Sequence, residues 1–277
     1  MRVPLKTTVL VTGLGYSFGD VVTDPTIPLQ NIKADLLTSS IGISHAFNFF
    51  GLSSQALVVF PYAWAKVSGD IEEVSASVSR SGLADMRLRY SVLVFGGEAA
   101  TLEELRNAKR NTIIGTSINI IAPTGQFFED KLINLGTNRW SFRPELAISH
   151  PIGKRWLADF YSGVWFFTAN NSFFPGDVVR TQKPMGAFQA HLSYNINPLF
   201  WVALDGTFYA GGKSSLNNIV NDDRAENTRL GITAVVPTGK FSSLKFAFST
   251  GVIVRLGQDF TTLTLGWQKS WVSGLNK

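Results

Sequence analysis

The chain has 277 residues and a formal net charge of +5, from 25 Lys and Arg against 20 Asp and Glu. Its basic residues are spread along the chain instead of forming the Lys/Arg blocks of nucleic-acid-binding proteins, so no nucleic-acid partner is expected. Cysteine is absent, which excludes disulfides and thiolate metal sites. Apolar residues are scattered, and no run of about 18 of them is present to form a transmembrane helix.

The first residues, Met1 to Lys6, lead directly into an alternating segment. They lack the apolar core and the small-residue cleavage site of a signal peptide. An exported protein needs such a signal, so we expect the native start to lie upstream of Met1. A cytoplasmic protein that never carried a signal is the alternative.

From about Thr7 to Trp271 the chain repeats short segments in which every second residue is apolar. In the clearest segment, Met86 to Val92, apolar side chains hold the even positions and Arg87, Arg89 and Ser91 the odd ones. One face suits lipid and the other water, which is typical of a transmembrane β-barrel. The predicted strands are Thr7–Phe18, Ala34–Phe47, Gln55–Lys66, Ala84–Phe95, Thr112–Pro123, Arg139–Ser149, Trp156–Phe167, Gly186–Asn195, Trp201–Ala210, Thr228–Val236, Leu244–Arg255 and Phe260–Trp271.

The connections between these segments are alternately short and long. Compact turn chemistry occurs at Pro151–Lys154, Asn195–Pro198 and Pro237–Lys240. The long connections are polar and rich in Gly, Asn, Asp or Pro: Asp20–Asn31, Val67–Arg80, Thr124–Asn138, Asn170–Lys183 and Gly211–Glu226. One short-side connection should contain a helix, because Thr101 and Glu104 have the spacing of a capping box.

This pattern predicts an all-β protein in which residues 1–277 form a single domain. The domain is an antiparallel transmembrane barrel of about 12 strands in the bacterial outer membrane, with short periplasmic turns and long extracellular loops. A large soluble β-sandwich is the alternative, since its strands also alternate. A sandwich does not predict two aromatic belts, and the aromatic residues gather at both ends of the predicted strands. The belt near the short turns comprises Phe47, Phe49, Phe50, Trp156, Phe200, Trp201, Phe241 and Trp271, and the belt near the long loops comprises Tyr16, Phe18, Tyr62, Trp64, Trp140, Trp165, Phe166, Phe208 and Phe260.

The face opposite to the lipid carries the candidate functional residues. A basic residue on the lipid face costs about 2 to 4 kcal/mol at the membrane midplane, so charged side chains in strands should point into the lumen. The lumen-lining candidates are Arg87, Arg89, Arg143, Glu145, Asp159, His191, Asp205, Arg229, Lys245 and Arg255. They predict either a pore lining that selects solutes or a closed lumen filled with ion pairs, and the two alternatives remain open.

His191 and Ser193 lie two residues apart on one strand face, as a general base and a hydroxyl nucleophile could. The pair resembles the His-x-Ser arrangement of outer-membrane phospholipases and lipid A deacylases, which direct it at lipid. Here the alternation places both side chains inside, so no catalysis is expected. The sequence contains neither a phosphate-binding glycine motif nor metal-ligand spacing, and we expect no cofactor and no metal.

Four further runs of the sequence are Ser79–Asp85, Asn134–Phe142, Val164–Thr168 and Phe173–Gly176. These runs resemble the outer-membrane family named MetA-pathway of phenol degradation. The resemblance implies a barrel that takes up small hydrophobic or aromatic compounds passively, with outer-membrane lipid and the barrel assembly machinery as partners. A structural or adhesive barrel with a closed lumen is the rival interpretation. The tail beyond Trp271 departs from the family pattern, in which the chain usually ends on the aromatic residue.

Overall fold

The computed structural model describes residues 2–22, 29–71, 74–197, 199–255 and 257–273. These residues form seventeen strands and one short helix. In chain order the elements are β1 (Thr7–Val22), β2 (Leu29–Phe49), β3 (Leu52–Ile71), β4 (Val74–Leu83), β5 (Met86–Phe95), α1 (Leu102–Asn107), β6 (Ile113–Ala122), β7 (Ser141–Ile152), β8 (Trp156–Phe167), β9 (Asn170–Phe173), β10 (Val178–Gln182), β11 (Met185–Asn195), β12 (Trp201–Gly211), β13 (Ser214–Leu216), β14 (Ile219–Val220), β15 (Ala225–Gly239), β16 (Ser242–Val254) and β17 (Gly257–Val272).

The principal sheet closes on itself as an antiparallel barrel. Every barrel strand pairs with its sequence neighbours, and the first strand, β1, pairs with the last, β17, from Thr7↔Val272 to Val22↔Gly257. Strands β4 and β5 both pair with β3 and are separated only by Ala84 and Asp85, so together they count as one barrel strand. The barrel of the described residues therefore has twelve strands, which confirms the predicted fold.

Cross-strand register assigns each side chain to one face of the barrel wall. Paired residues share a face, and successive residues alternate between faces. Ile118, Leu146, Leu204, Ile232 and Phe246 all project outward and are exposed. Leu88 pairs with Ile120 on the same outer face and is half-buried. This exposed apolar exterior is the opposite of a soluble protein's surface and is what a lipid-facing wall requires.

The two ends of the barrel differ in their connections. Short connections join the strands at one end, here called the turn end, and the long ones lie at the other, the loop end. The turn end also carries α1, where Thr101 Oγ1 accepts from Glu104 N at 3.3 Å and Thr101 N donates to Glu104 Oε2 at 2.7 Å. The predicted capping box is confirmed. Among the described residues, no helix has both the length and the apolar character needed to cross a membrane.

Strands occupy parts of several predicted long loops, and within Asn170–Lys183 they are β9 and β10. Most of Val67–Arg80 belongs to β3 and β4, which stay paired from Tyr62↔Leu83 to Ile71↔Val74. Parts of Asp20–Asn31 belong to β1 and β2, while residues 23–28 lie outside the described residues. Polar composition predicted loops here, but polar strands pair equally well where their backbone hydrogen bonds can form a hairpin. In a second sheet at the loop end, the strands are arranged in the order β14-β13-β10-β9.

Three rings that the sequence predicts in the aromatic belts lie on the inner face instead. Register places Trp165 opposite Met185 and Trp201 opposite Val235, both inward. Phe260 is also inward and only 6% exposed. Proximity to a strand end did not settle which face these rings occupy. Tyr16, Trp64, Trp140 and Trp271 are exposed on the exterior.

Candidate functional site: the lumen and its loop end

A charged cluster lies on the inner face of adjacent strands β5, β6 and β7. Glu145 Oε1 lies 3.1 Å from Arg89 Nη2, and Glu145 Oε2 lies 3.0 Å from Arg143 Nη2. Ser117 Oγ donates to the same carboxylate at 3.2 Å. The Glu145 side chain is only 3% exposed, so a buried carboxylate holds two guanidinium groups in place. The Arg143 guanidinium also lies 4.9 Å from the centre of the Trp165 ring.

A second polar group lies on β11, β12 and β15. His191 Nδ1 is 2.6 Å from Asp205 Oδ1, and Thr233 Oγ1 donates to Asp205 Oδ2 at 2.6 Å. The side chain of Ser193 is buried and has no hydrogen bond to His191 among the described residues. The partner of the imidazole is therefore an aspartate, and the whole group faces the lumen. This arrangement does not present a nucleophile to lipid.

The remaining sequence candidates occupy different places. Register puts Asp159 on the inner face opposite His191, and Arg229 on the inner face, where its Nη2 donates to Phe260 O at 2.8 Å. Arg87 is inward and exposed. Arg255 differs from the prediction: it follows the end of β16, and its Nη2 is 3.2 Å from Asp222 Oδ2 in the loop before β15. The register shift between Thr228 and Arg229 reverses the alternation of β16 after Gly251. Val254 therefore takes the inner position opposite Asn227, and Arg255 does not join the lumen lining.

Charge is segregated around the lumen. The inner positions of β17, β1, β2 and β3 carry no Asp, Glu, Lys or Arg from Phe260 to Ser270, Val9 to Gly19, Ala34 to Ala46 and Ser53 to Val67. Many are small or apolar. The other barrel strands, β4 to β8, β11, β12, β15 and β16, carry six inward cations, Arg80, Arg87, Arg89, Arg143, Arg229 and Lys245, against three carboxylates, Glu145, Asp159 and Asp205. The lumen therefore has one uncharged wall and one wall with a cationic excess.

The loop after β6 folds against the inner face at the loop end. Asp85, between β4 and β5, accepts hydrogen bonds from Gly125 N at 2.9 Å, Thr137 N at 2.8 Å and Thr137 Oγ1 at 2.6 Å. The Gln126 carboxamide lies so close to inward-facing Gly82 that a Cβ there would be 3.0 Å from its Cδ. A side chain at position 82 would make the Gln126 side chain shift, so the glycine allows this close contact of the loop with the wall. Together these contacts narrow the loop end of the lumen.

Arg139 connects the loop after β6 to the second sheet, β14-β13-β10-β9. Its Nη2 lies 2.5 Å from Gln182 Oε1, and its guanidinium lies 4.5 Å from the centre of the inward Phe167 ring. Arg139 precedes β7, outside the strands that form the wall. Burial, with a smaller contribution from nearby Arg180, lowers the pKa of Arg139 to about 10. The group remains a cation at neutral pH and adds positive charge at this mouth.

Sequence reasoning did not identify Asp85, Gly125, Thr137 and Arg139 as site residues. Three of them lie in the runs Ser79–Asp85 and Asn134–Phe142, and their spacing offers no chemical motif. No group of three or more His, Cys, Asp or Glu side chains arranged for a metal ion occurs in the part of the chain that the structure describes.

Comparison with known proteins supports this architecture. The sequence profile of the family described as "Putative MetA-pathway of phenol degradation" matches residues 30–270. No curated protein sequence matches the chain.

Solved structures of similar fold are outer-membrane barrels. The COG4313 outer membrane channel from Pseudomonas putida F1 is 21% identical, with a TM-score of 0.83, over 98% of this chain and 97% of that chain. The β domain of the Bordetella autotransporter BrkA is 11% identical, with a TM-score of 0.54, over 96% of this chain and 100% of that chain. The KdgM porin is 9% identical, with a TM-score of 0.51, over 94% of this chain and 99% of that chain. At these identities the likeness establishes the fold.

Proposed function

We propose that this chain, which belongs to the MetA-pathway of phenol degradation family, is an outer-membrane channel for passive uptake of small hydrophobic or aromatic compounds. The neighbours of the same fold include an outer membrane channel and a porin. The long connections then face the cell exterior, and the turn end faces the periplasm.

One observation carries the proposal: charged side chains on the inner face remain open to solvent. Arg87 and Lys245 both project inward, yet both are exposed. A lumen packed with structural ion pairs would bury them, as it buries Glu145. An aqueous path through the barrel requires cations of this kind, which lie on the inner face and are accessible to water.

The segregation of charge in the lumen favours the passage of solutes that have an apolar surface. The uncharged wall includes Val9, Val11, Leu57 and Val59 on its inner face, against which an apolar body can lie. The charged wall keeps the opposite side of the path hydrated. A solute can therefore shed part of its water on one side while its polar group stays solvated on the other.

The loop end supplies the first contact in this proposal. Phe174 is 39% exposed, whereas Phe173 lies beneath the Arg180 guanidinium, 5.3 Å from its ring centre. Phe174 is therefore the ring that an incoming apolar solute meets, and Phe173 stabilises the loop. Passive entry down a concentration gradient needs no energy source.

The test is conductance together with uptake. Purified protein in planar lipid bilayers should conduct ions, and cells that carry it should accumulate a labelled aromatic compound faster than cells without it. Deleting Ser172–Gly176 should slow uptake while the barrel assembles normally. A correctly assembled barrel that neither conducts nor changes uptake would contradict the proposal.

A structural barrel with a closed lumen is the second candidate, favoured by the contact of Gln126 with the inner wall. It predicts that conductance stays absent until the loop after β6 is released. The same bilayer measurement therefore separates the two functions.

A further inference from the structure

A cavity of about 730 Å³ lies at the turn end of the lumen. Its floor includes Ile113, Ser149 and Leu157, which hold the inner positions of β6, β7 and β8. Leu105 of α1 and the following segment form part of its border. The cavity thus belongs to the lumen and not to the lipid-facing exterior, and its volume suits a small organic molecule.

The rim of this cavity is cationic. Arg2, Lys109, Arg110, Lys154 and Arg155 border it, and no Asp or Glu is among its described lining residues. Arg110 donates to the carbonyls of Lys154 and Trp156 at 2.5 and 3.1 Å, and Arg155 Nη1 donates to Tyr194 OH at 2.8 Å. These neutral partners fix the guanidinium groups without cancelling their charge.

Two ammonium groups of the rim are available for a ligand. Lys109 and Lys154 are exposed, and in the described part of the chain neither forms an ion pair within 4.0 Å. Arg2 has a carboxylate nearby, Glu98, but at 3.6 Å, and that side chain is 72% exposed. The rim therefore keeps a strong excess of positive charge beside an apolar floor.

We propose that this cavity binds a small amphipathic organic anion, with its apolar body on Ile113 and Leu157 and its carboxylate at Lys109 and Lys154. Charged donors around a partly apolar cavity favour this chemistry over a neutral hydrocarbon, which leaves the rim unpaired. The inference rests on the proposed function and deepens it, because it makes carboxylate-bearing aromatic compounds the preferred solutes. The cavity is then the last site that a solute occupies before it leaves the lumen.

The experiment uses the full chain in nanodiscs of uncharged phosphatidylcholine, with calorimetric titration of 4-tert-butylbenzoate. Its neutral analogue, 4-tert-butylbenzamide, measures the part of binding that is due to the apolar body. We expect the carboxylate to bind at least tenfold more tightly than the amide. Lys109→Gln combined with Lys154→Gln should remove that advantage and leave the amide affinity unchanged.

The matched control combines Lys33→Gln with Lys183→Gln, which removes the same charge from exposed residues at the loop end. It should change the carboxylate affinity by less than twofold. Equal affinity for carboxylate and amide in the unaltered protein would overturn the inference, as would equal loss in both double variants. Loss of carboxylate binding in phosphatidylglycerol nanodiscs would also overturn it, because the cavity would then hold a lipid headgroup.

Bilayer conductance of the same preparations keeps the two proposals distinguishable. Conductance without preferential carboxylate binding contradicts only the cavity site. Carboxylate binding that depends on Lys109 and Lys154, in a protein that does not conduct, contradicts only the channel.

Discussion

Arg143 and Glu145 project from the same inner face of β7, two residues apart, with 3.0 Å between Nη2 and Oε2. The same carboxylate binds Arg89 on β5 through its other oxygen. One buried carboxylate therefore joins strands β5 and β7 across β6 and holds two cations that would otherwise repel each other.

Glu145→Ala should destabilise the barrel by about 3 kcal/mol, because removing one member of a buried pair leaves charge uncompensated. Urea unfolding followed by tryptophan fluorescence measures the change. Glu226→Gln is the control, since its pair with Arg224 is exposed on both sides and should contribute less than about 1 kcal/mol. Equal losses in the two variants would contradict the structural role of Glu145.

Neutralising Arg87 and Arg89 together, each to Gln, should shift the reversal potential in a salt gradient toward cation selectivity. The cationic excess of the charged wall falls, and confined charges act strongly on passing ions. Arg224→Gln with Arg255→Gln is the matched control, because Arg255 lies at the outer rim in an ion pair with Asp222. If the rim variant shifts the potential as much as the lumen variant, Arg87 and Arg89 do not line the conducting path.

Ile118→Arg should impair membrane assembly, since it places a cation on the exposed outer face at a cost of about 2 to 4 kcal/mol near the midplane. Asn119→Arg changes the adjacent residue of β6, which faces inward opposite Arg89 and Arg143, and the barrel should still assemble. Heat-modifiable migration on gels measures the folded fraction of each. Similar folded fractions for both variants would contradict the assigned faces.

Asp85→Ala should release the loop after β6, because three hydrogen bonds from Gly125 and Thr137 are lost at once. We expect faster proteolysis within residues 124–138 and a higher single-channel conductance. Asp130→Ala, in the same loop, removes an exposed carboxylate paired with Lys131 and should change neither. Unaltered conductance with rapid cleavage would show that the loop does not limit the path.

Alternation was sufficient to predict the barrel, because a wall with lipid on one side and water on the other imposes a period of two on each strand. It also indicated the faces of Ile118 and Arg89, which the register supports. It could not predict that Glu145 binds both Arg89 and Arg143, since register between distant segments depends on pairings that no local pattern specifies. The position of Arg255 depends on the register shift between Thr228 and Arg229, and a bulge of this kind has no signal in the alternation of β16.

The alternation pattern also does not predict that the loop after β6 narrows the lumen, and the reason is different. Asp85 and Thr137 are 52 positions apart in the chain, and each alone reads as an ordinary polar loop residue. Only the folded loop shows that the missing side chain of Gly82 allows the close contact with Gln126. The family resemblance includes the runs Ser79–Asp85 and Asn134–Phe142, which contain Asp85 and Thr137, but it gives no role for these residues.

The seam between β1 and β17 has a consequence for the order of events during synthesis. Thr7 meets Val272 across this seam, so the first strand made has no partner on one edge until nearly the whole chain exists. An unpaired strand edge recruits other strands, and contacts between distant segments form slowly. The newly made chain must therefore be kept apart from its own copies until the last strand arrives, and a chain truncated before β17 would leave the wall open along its full height.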